Sequence, residues 1–412
     1  MTDRFAPHPK HLQPWQVGPL APHLPGLAAL LSQQGYCREN GWMKIRLLAD
    51  LSGWMKQRRI APRQLDERRI AEFLKARWKR LSHKSGDRAT MTLVLHHLRQ
   101  TNVTPLASPP QPGNGIETME QDYEDFLLRQ RSLVPASVEQ YLPIVRRFLS
   151  HRFPRGEVRL KKLRASDVTD FVLHDSSHRG RRSAQLMASV LRSFLGFLLQ
   201  QGRVGTDLAG AVPTVAGGRL SGVPRFLEIE QVERLLRCCD RRTKVGKRDH
   251  VILLLLARLG LRAGEVAQLT LEDINWRAGE LLIRGKGTRV DRLPLPQDIG
   301  ESLAIYLQRG RPDCLSRRVF IKSVAPHEGL AGPGSVSNVV RAALARANIP
   351  SRHQGAHLLR HSLATTMLRN GASMTQIGQV LRHQLPQTTE IYAKVDLNGL
   401  RTLALPWPGG KP

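Results

Sequence analysis

Acidic residues are scarce in this chain. Thirty-four Asp and Glu stand against 63 Lys and Arg in 412 residues, a formal net charge of +29 at pH 7. The shortage is not confined to a tail: residues 1–224 carry 34 basic and 18 acidic side chains, and residues 225–404 carry 28 and 16. A basic excess along the whole length points to a polyanion touched by every domain, although arginine-rich genome composition would raise the same total. Cysteine is nearly absent too. Cys37, Cys238, Cys239 and Cys314 have no metal-ligand spacing, which argues against structural zinc and a disulfide framework and fits a reducing cytoplasm. Long apolar runs are missing as well. The longest, Val251 to Ala257, is far too short to span a membrane and suits the buried face of a core helix. The opening Met-Thr-Asp-Arg-Phe-Ala-Pro-His lacks an apolar secretory core. A cytoplasmic protein is expected.

What is present is globular, with 41% hydrophobic and 24% charged residues and enough length for two or three domains. Two Pro/Gly-rich stretches, Pro105–Gly115 and the region between Gly202 and Pro224, cannot hold a continuous helix. They divide the chain into a helical extension (1–104), a second helical domain (116–203), a linker (204–224), a third domain (225–404) and a tail (405–412). The first two segments share a pattern. Residues 64–74 lie over residues 162–172 at a constant offset of 98, so that Leu65, Ile70 and Phe73 coincide with Leu163, Val168 and Phe171. Amphipathic stretches precede both (Trp42–Trp54, Val138–Phe153) and follow both (Thr90–Gln100, Ala188–Gln200). This reads as a duplicated small helical domain, or as two unrelated four-helix domains with a common pattern. In the third segment helices are expected at Glu228–Cys239, Asp249–Leu259, Gly300–Gln308, Ser335–Ala347, His357–Asn370 and Met374–Leu381. Strands are expected at Gly279–Arg289 and Asp291–Leu295 around a glycine turn. The fold class is therefore mainly α with a small β-sheet.

Six residues in this third segment form a chemical set: Arg262, Lys286, His357, Arg360, His383 and Tyr392. A tyrosine phenol can attack a phosphodiester and keep the phosphoryl bond, which conserves the energy needed to reseal the strand. Charge that accumulates on the non-bridging oxygens is matched by arginines, here Arg262 and Arg360, which stay ionised at any working pH. His357 and His383 can donate to the same oxygens, and His357 can help take the phenol proton. Lys286, in a turn between strands, can protonate the departing 5′ oxygen. This set needs neither metal nor cofactor. Taken singly, each residue has a plainer reading: Arg262 a helix cap, His357 and Arg360 a solvated face, Lys286 a solvated turn, His383 an interface histidine, Tyr392 a core aromatic. Their order and number favour the joint reading.

The motifs that carry them resemble the tyrosine recombinases, the phage integrase family. Leu259-Gly260-Leu261-Arg262-Ala263-Gly264-Glu265 resembles that family's first-arginine box, and His357-Leu358-Leu359-Arg360-His361 its His-x-x-Arg box. Gly285-Lys286-Gly287 resembles its hairpin lysine. The intervals from Arg360 to His383 and from His383 to Tyr392 also fit. The resemblance covers roughly 225–404, and the second segment looks like the family's helical core-binding domain. It implies a C-shaped clamp on double-stranded DNA and a 3′-phosphotyrosine intermediate. It also implies a homo-oligomer on DNA, expected as a tetrameric synapse and open to partner recombinases, acting in integration, excision or transposition of a mobile element. Glu265 is then a supporting acid that orients Arg262 or a nearby histidine. Arg289 and Arg292 would touch phosphates, His361 would be structural, and Arg248 would support the fold. One departure is visible: Arg382 stands where the family usually has glycine before its second histidine. Two points stay open. The N-terminal extension is either an additional DNA-binding arm or an oligomerisation module. The leucines at 397, 400, 403 and 405 suit docking either on a neighbouring protomer or on their own domain. A catalytically inactive accessory homologue and a type IB topoisomerase-like enzyme are the alternative functions.

Overall fold

The computed structural model describes Phe5 and residues 18–81, 86–106, 115–154, 156–177, 179–215, 224–285 and 289–395. Two compact units result: one joins Met1–Pro105 to Gly222–Pro412, the other is Leu106–Ser221. The C-terminal leucines from 397 onward and the tail lie outside the described residues, as does much of the linker.

In the first unit the N-terminal helices are α1 (Leu24–Gln33), α2 (Arg38–Gln57), α3 (Glu67–Trp78) and α4 (Asp87–Gln100). Asp66 caps α3 by accepting the Arg69 N–H at 2.8 Å. Leu27, Leu31, Ile45, Leu48, Phe73, Leu74, Met91 and Val94 fill their shared core. The turn after α1 meets the C-terminal part of the same unit, where the His327 N–H donates to the Gln34 carbonyl at 2.9 Å.

The second unit contains α5 (Gly115–Asp125), extended by a π-helical turn at Phe126–Gln130, then α6 (Pro135–Arg152), α7 (Ala165–Ser176) and α8 (Arg181–Gln200). Aromatic rings dominate its core. Phe194 is fully buried, 5.1 Å from Tyr123 and 6.4 Å from Phe148 in edge-on arrangements. Glu120, also buried, is gripped by Arg146 at 2.6–2.9 Å. Element bounds repeat between the units. The α3 helix falls on α7 at an offset of 98, and the short 3-10 turn before α3, Pro62–Gln64, falls on Leu160–Lys162 at the same offset. Leu65, Ile70, Phe73 and Leu74 are buried, as are Leu163, Val168, Phe171 and Val172.

The C-terminal part of the first unit is built on α10 (Lys244–Arg258), preceded by α9 (Ile229–Arg237). Every residue from Val251 to Ala257 is buried, because α9, α11 (Ala263–Gln268), α12 (Gln297–Arg309), α13 (Pro333–Arg346) and α14 (His357–Arg369) all pack against α10. The helix starts five residues before the expected Asp249, since Thr243 accepts the Gly246 N–H at 3.0 Å and caps it there. The short α11 is not visible in periodicity, being under two turns. Three antiparallel strands, β1 (Ile274–Asn275), β2 (Glu280–Arg284) and β3 (Val290–Pro294), lie in the order β1-β2-β3, with Ile283 opposite Asp291 and Arg284 opposite Val290. The last helix is α15 (Met374–Val380), followed by a 3-10 segment at Glu390–Val395. No helix among the described residues is long and apolar enough to cross a membrane.

Truncating Phe194 to Ala should destabilise the second unit by about 3–5 kcal/mol, as expected for loss of a core aromatic. Denaturant unfolding of the full chain, followed by circular dichroism, measures it. A loss below about 1 kcal/mol would mean that the aromatic cluster does not hold the unit together.

Candidate active site

The α10 helix ends at Arg258, and the chain turns sharply through Gly260 before α11 begins. Gly260 has φ +57°, and a Cβ there would lie 2.8 Å from a Leu381 methyl and 3.0 Å from a Leu363 methyl. Only glycine meets both demands. The turn leaves Arg262 at the start of α11 with its side chain 40% exposed. Glu265, one helical turn on and buried, accepts from Arg262 twice: from the backbone N–H at 2.8 Å and from Nη1 at 2.8 Å. Of the two partners expected for Glu265, it takes the arginine.

Arg360 projects from α14 and is buried. Its guanidinium donates to the Gly260 carbonyl through Nη1 and to the Leu381 carbonyl through Nη2, joining the α10–α11 turn to the end of α15. Burial, reinforced by the charges of Arg262 and Arg382, lowers its pKa to about 10. It remains cationic at neutral pH.

Helix α15 closes with paired hydrogen bonds: the Arg382 N–H donates to Gln379 O at 3.0 Å and the His383 N–H to Gly378 O at 2.9 Å. This is the Schellman closure, whose pivot adopts a left-handed backbone. Arg382 is that pivot, with φ +53°. The turn that a glycine would make is thus kept, at a cost of roughly 1–2 kcal/mol for a residue with a Cβ. His383, next in the chain, shares a 2.8 Å hydrogen bond with the Thr389 hydroxyl through Nδ1.

Tyr392 lies in the 3-10 segment after α15 and packs with Ala364, Ile377 and Leu381. Its ring is parallel to that of His383 at 6.5 Å. The phenol hydroxyl shares a 2.9 Å hydrogen bond with Nδ1 of His361. His361, expected to be structural, therefore contacts the proposed nucleophile. His357, on the exposed start of α14, has its ring 6.2 Å from that of His361. The four-residue spacing that stacks these two histidines on one helix face was the available signal. Burial raises the Tyr392 phenol to about 12 and lowers His361 and His383 to about 4. At neutral pH the phenol is protonated and both imidazoles are uncharged.

Lys286 lies outside the described residues. The strands that flank it bring Arg289 and Arg292 to the same hairpin. Arg289 pairs with Asp291 at 2.7 Å, and Arg292 is exposed on β3. Arg248 bonds Asp249 at 2.8 Å and the Ile321 carbonyl at 3.1 Å, inside the fold. A cleft of about 560 Å³ beside α15 is lined by Arg289, Gln379, Arg382, His383, Thr389 and Glu390.

The two depressed histidines make stability depend on pH. Unfolded imidazoles take up protons near 6.5, whereas His361 and His383 in the folded chain do so only near 4. The unfolded state binds more protons between these values, so this stability is full above about pH 6.5 and is lost as pH falls toward 4. The thermal unfolding midpoint should drop across that window, and His361→Gln should show a smaller drop. An equal drop in the variant would contradict the burial of an uncharged His361.

Residues 225–398 match the phage integrase family, and residues 121–202 match the N-terminal SAM-like domain of phage integrases. A Sinorhizobium fredii protein named as an integrase/recombinase, y4rA, is 43% identical over 393 residues, 95% of each chain. The tyrosine recombinase XerD of Mycobacterium tuberculosis is 31% identical over 311 residues, 71% of this chain and 96% of its own. Among solved structures, the XerH site-specific recombinase in a post-cleavage complex with its palindromic difH substrate shares the fold. Its TM-score is 0.56 at 19% identity, over 82% of this chain and 94% of that one. Matched along 95% of its length, with both family regions in order, the chain belongs to the phage integrase family of tyrosine recombinases.

Proposed function

We propose that this protein is a site-specific DNA recombinase that cuts and rejoins duplex DNA through a 3′-phosphotyrosine bond at Tyr392. The observation that carries the reading is the convergence of Arg262, Arg360, His383 and Tyr392 on one end of α15, although 130 residues separate the first from the last. In the proposed reaction the Tyr392 oxygen attacks the scissile phosphorus and the bond to the 5′ oxygen breaks. Arg262 and Arg360 stabilise the charge on the non-bridging oxygens, with His383 as a further donor. A protonated phenol needs a base, and His361, already at hydrogen-bond distance, can take its proton once the negative charge of the bound phosphate raises the imidazole above its value in the resting site, with His357 behind it. Lys286 is assigned the proton for the departing 5′ hydroxyl, on the family's motif alone. That hydroxyl, from a partner strand, then attacks a phosphotyrosine and releases the tyrosine, so each strand cut is resealed.

The helical domain at 116–203 and the catalytic domain at 225–404 are proposed to clamp the DNA, with Arg289 and Arg292 on its phosphates and four protomers on two sites. The N-terminal extension is read as a second copy of the helical domain and as a further DNA-binding arm. The offset of 98 between matching helices supports this, as do Lys75, Arg88, His96 and Arg99 around a groove of about 590 Å³ on α3 and α4. The reaction serves integration, excision or transposition of a mobile element, on the nucleoid.

Wild-type protein should accumulate a covalent adduct on a nicked suicide substrate, and Tyr392→Phe should form none while binding the same DNA. Persistent adduct in the variant would remove Tyr392 as the nucleophile. Relaxation of supercoils without joined products would instead favour a topoisomerase.

A further inference from the structure

Arg382 departs from expectation in several ways at once. It occupies a left-handed backbone position, φ +53°, that glycine fills without strain. Its side chain is only 4% exposed, and its Nε and Nη1 are buried without a hydrogen-bond acceptor. Each feature costs stability. A residue kept under such conditions points to a task other than holding the fold.

Its contacts indicate the task. Arg382 Nη2 donates to Glu265 Oε2 at 2.7 Å, the same oxygen that accepts the Arg262 N–H. Glu265 Oε1 takes Arg262 Nη1 at 2.8 Å. The Arg382 carbonyl lies 3.4 Å from Arg262 Nη2. On its other side, Arg382 Nε is 3.7 Å from Asp291 on β3, which is itself paired with Arg289 at 2.7 Å. Arg382 thus joins the carboxylate behind Arg262 to the strand that flanks the hairpin. Without it, Glu265 faces Arg262 alone and can draw that guanidinium inward.

We propose that Arg382 is a positioning residue: by sharing the Glu265 carboxylate and bracing it against Asp291, it fixes the Arg262 guanidinium toward the scissile phosphate. The inference rests on the recombinase reading above. With its side chain only 4% exposed, Arg382 acts from behind Arg262. Its effect runs through Arg262, so it should appear wherever Arg262 meets charge on the non-bridging oxygens.

The test uses the full chain and single-turnover cleavage of a nicked duplex. One substrate carries a normal scissile phosphate, and a second carries a methylphosphonate, which removes the charge that Arg262 neutralises. Arg382→Gly should bind DNA as the wild type does, since glycine suits the turn. It should cleave the phosphate about 10–100-fold more slowly, the scale expected for a misplaced catalytic group. On the methylphosphonate the gap between wild type and variant should shrink to within a few-fold. Arg382→Lys, which keeps a cation beside Glu265, should recover part of the phosphate rate. Equal wild-type and Arg382→Gly rates would overturn the inference, as would a rate gap of the same size on both substrates. A wild-type protein that forms no adduct on either substrate overturns the recombinase reading and this inference with it.

Discussion

One carboxylate organises the catalytic end of this protein. Glu265 is buried and held at 2.7–2.8 Å by donors from Arg262 and Arg382, two residues 120 positions apart in the chain. Cationic groups this close repel one another, and burial makes the repulsion stronger. A buried acid between them is what allows a cluster of arginines to exist before any phosphate arrives. Losing it would leave the Arg382 guanidinium, itself 4% exposed, without its carboxylate partner, a penalty of about 3–5 kcal/mol by analogy with other broken buried ion pairs. Arg360 solves the same problem differently, giving its donors to the Gly260 and Leu381 carbonyls. The site is therefore electrostatically prepared, with Arg262 as its exposed member.

The resting arrangement also keeps the Tyr392 phenol neutral. Burial holds it protonated at neutral pH, with its pKa near 12, and its hydroxyl is engaged by His361. A histidine whose own pKa is pushed down to about 4 stays uncharged and does not add to the positive potential of the neighbouring arginines. Tyrosine and base are thus stored as a neutral pair beside a cationic cluster. In the proposed reaction, charge develops on this pair only when the scissile phosphate is present to receive it.

Much of this was legible from the chain itself. The small sheet, the helices around Val251–Ala257 and the grouping of Arg262, Arg360, His383 and Tyr392 follow from periodicity and motif order. The offset of 98 between Leu65 and Leu163 also foretold the matched bounds of α3 and α7. Other features were not visible. Helix α11 is too short to show a period, and the start of α10 depends on a threonine cap rather than on its apolar run. His361 could not be placed against Tyr392, because that contact depends on how a 3-10 segment returns to α14. The role proposed for Arg382 was hidden for the same reason: the missing glycine marked the position, but its partners Glu265 and Asp291 come from distant segments. Motifs record which residues act; packing decides what supports them.

In the proposed reaction the phenol oxygen of Tyr392 carries the DNA strand. Trypsin cuts after Arg382 and Lys394, so the peptide spanning residues 383–394 contains Tyr392 as its sole tyrosine. Trapped adduct, digested with nuclease and trypsin and sequenced by mass spectrometry, should carry its nucleotide remnant on that peptide at Tyr392. A remnant on any other side chain, or on another peptide, would contradict the account.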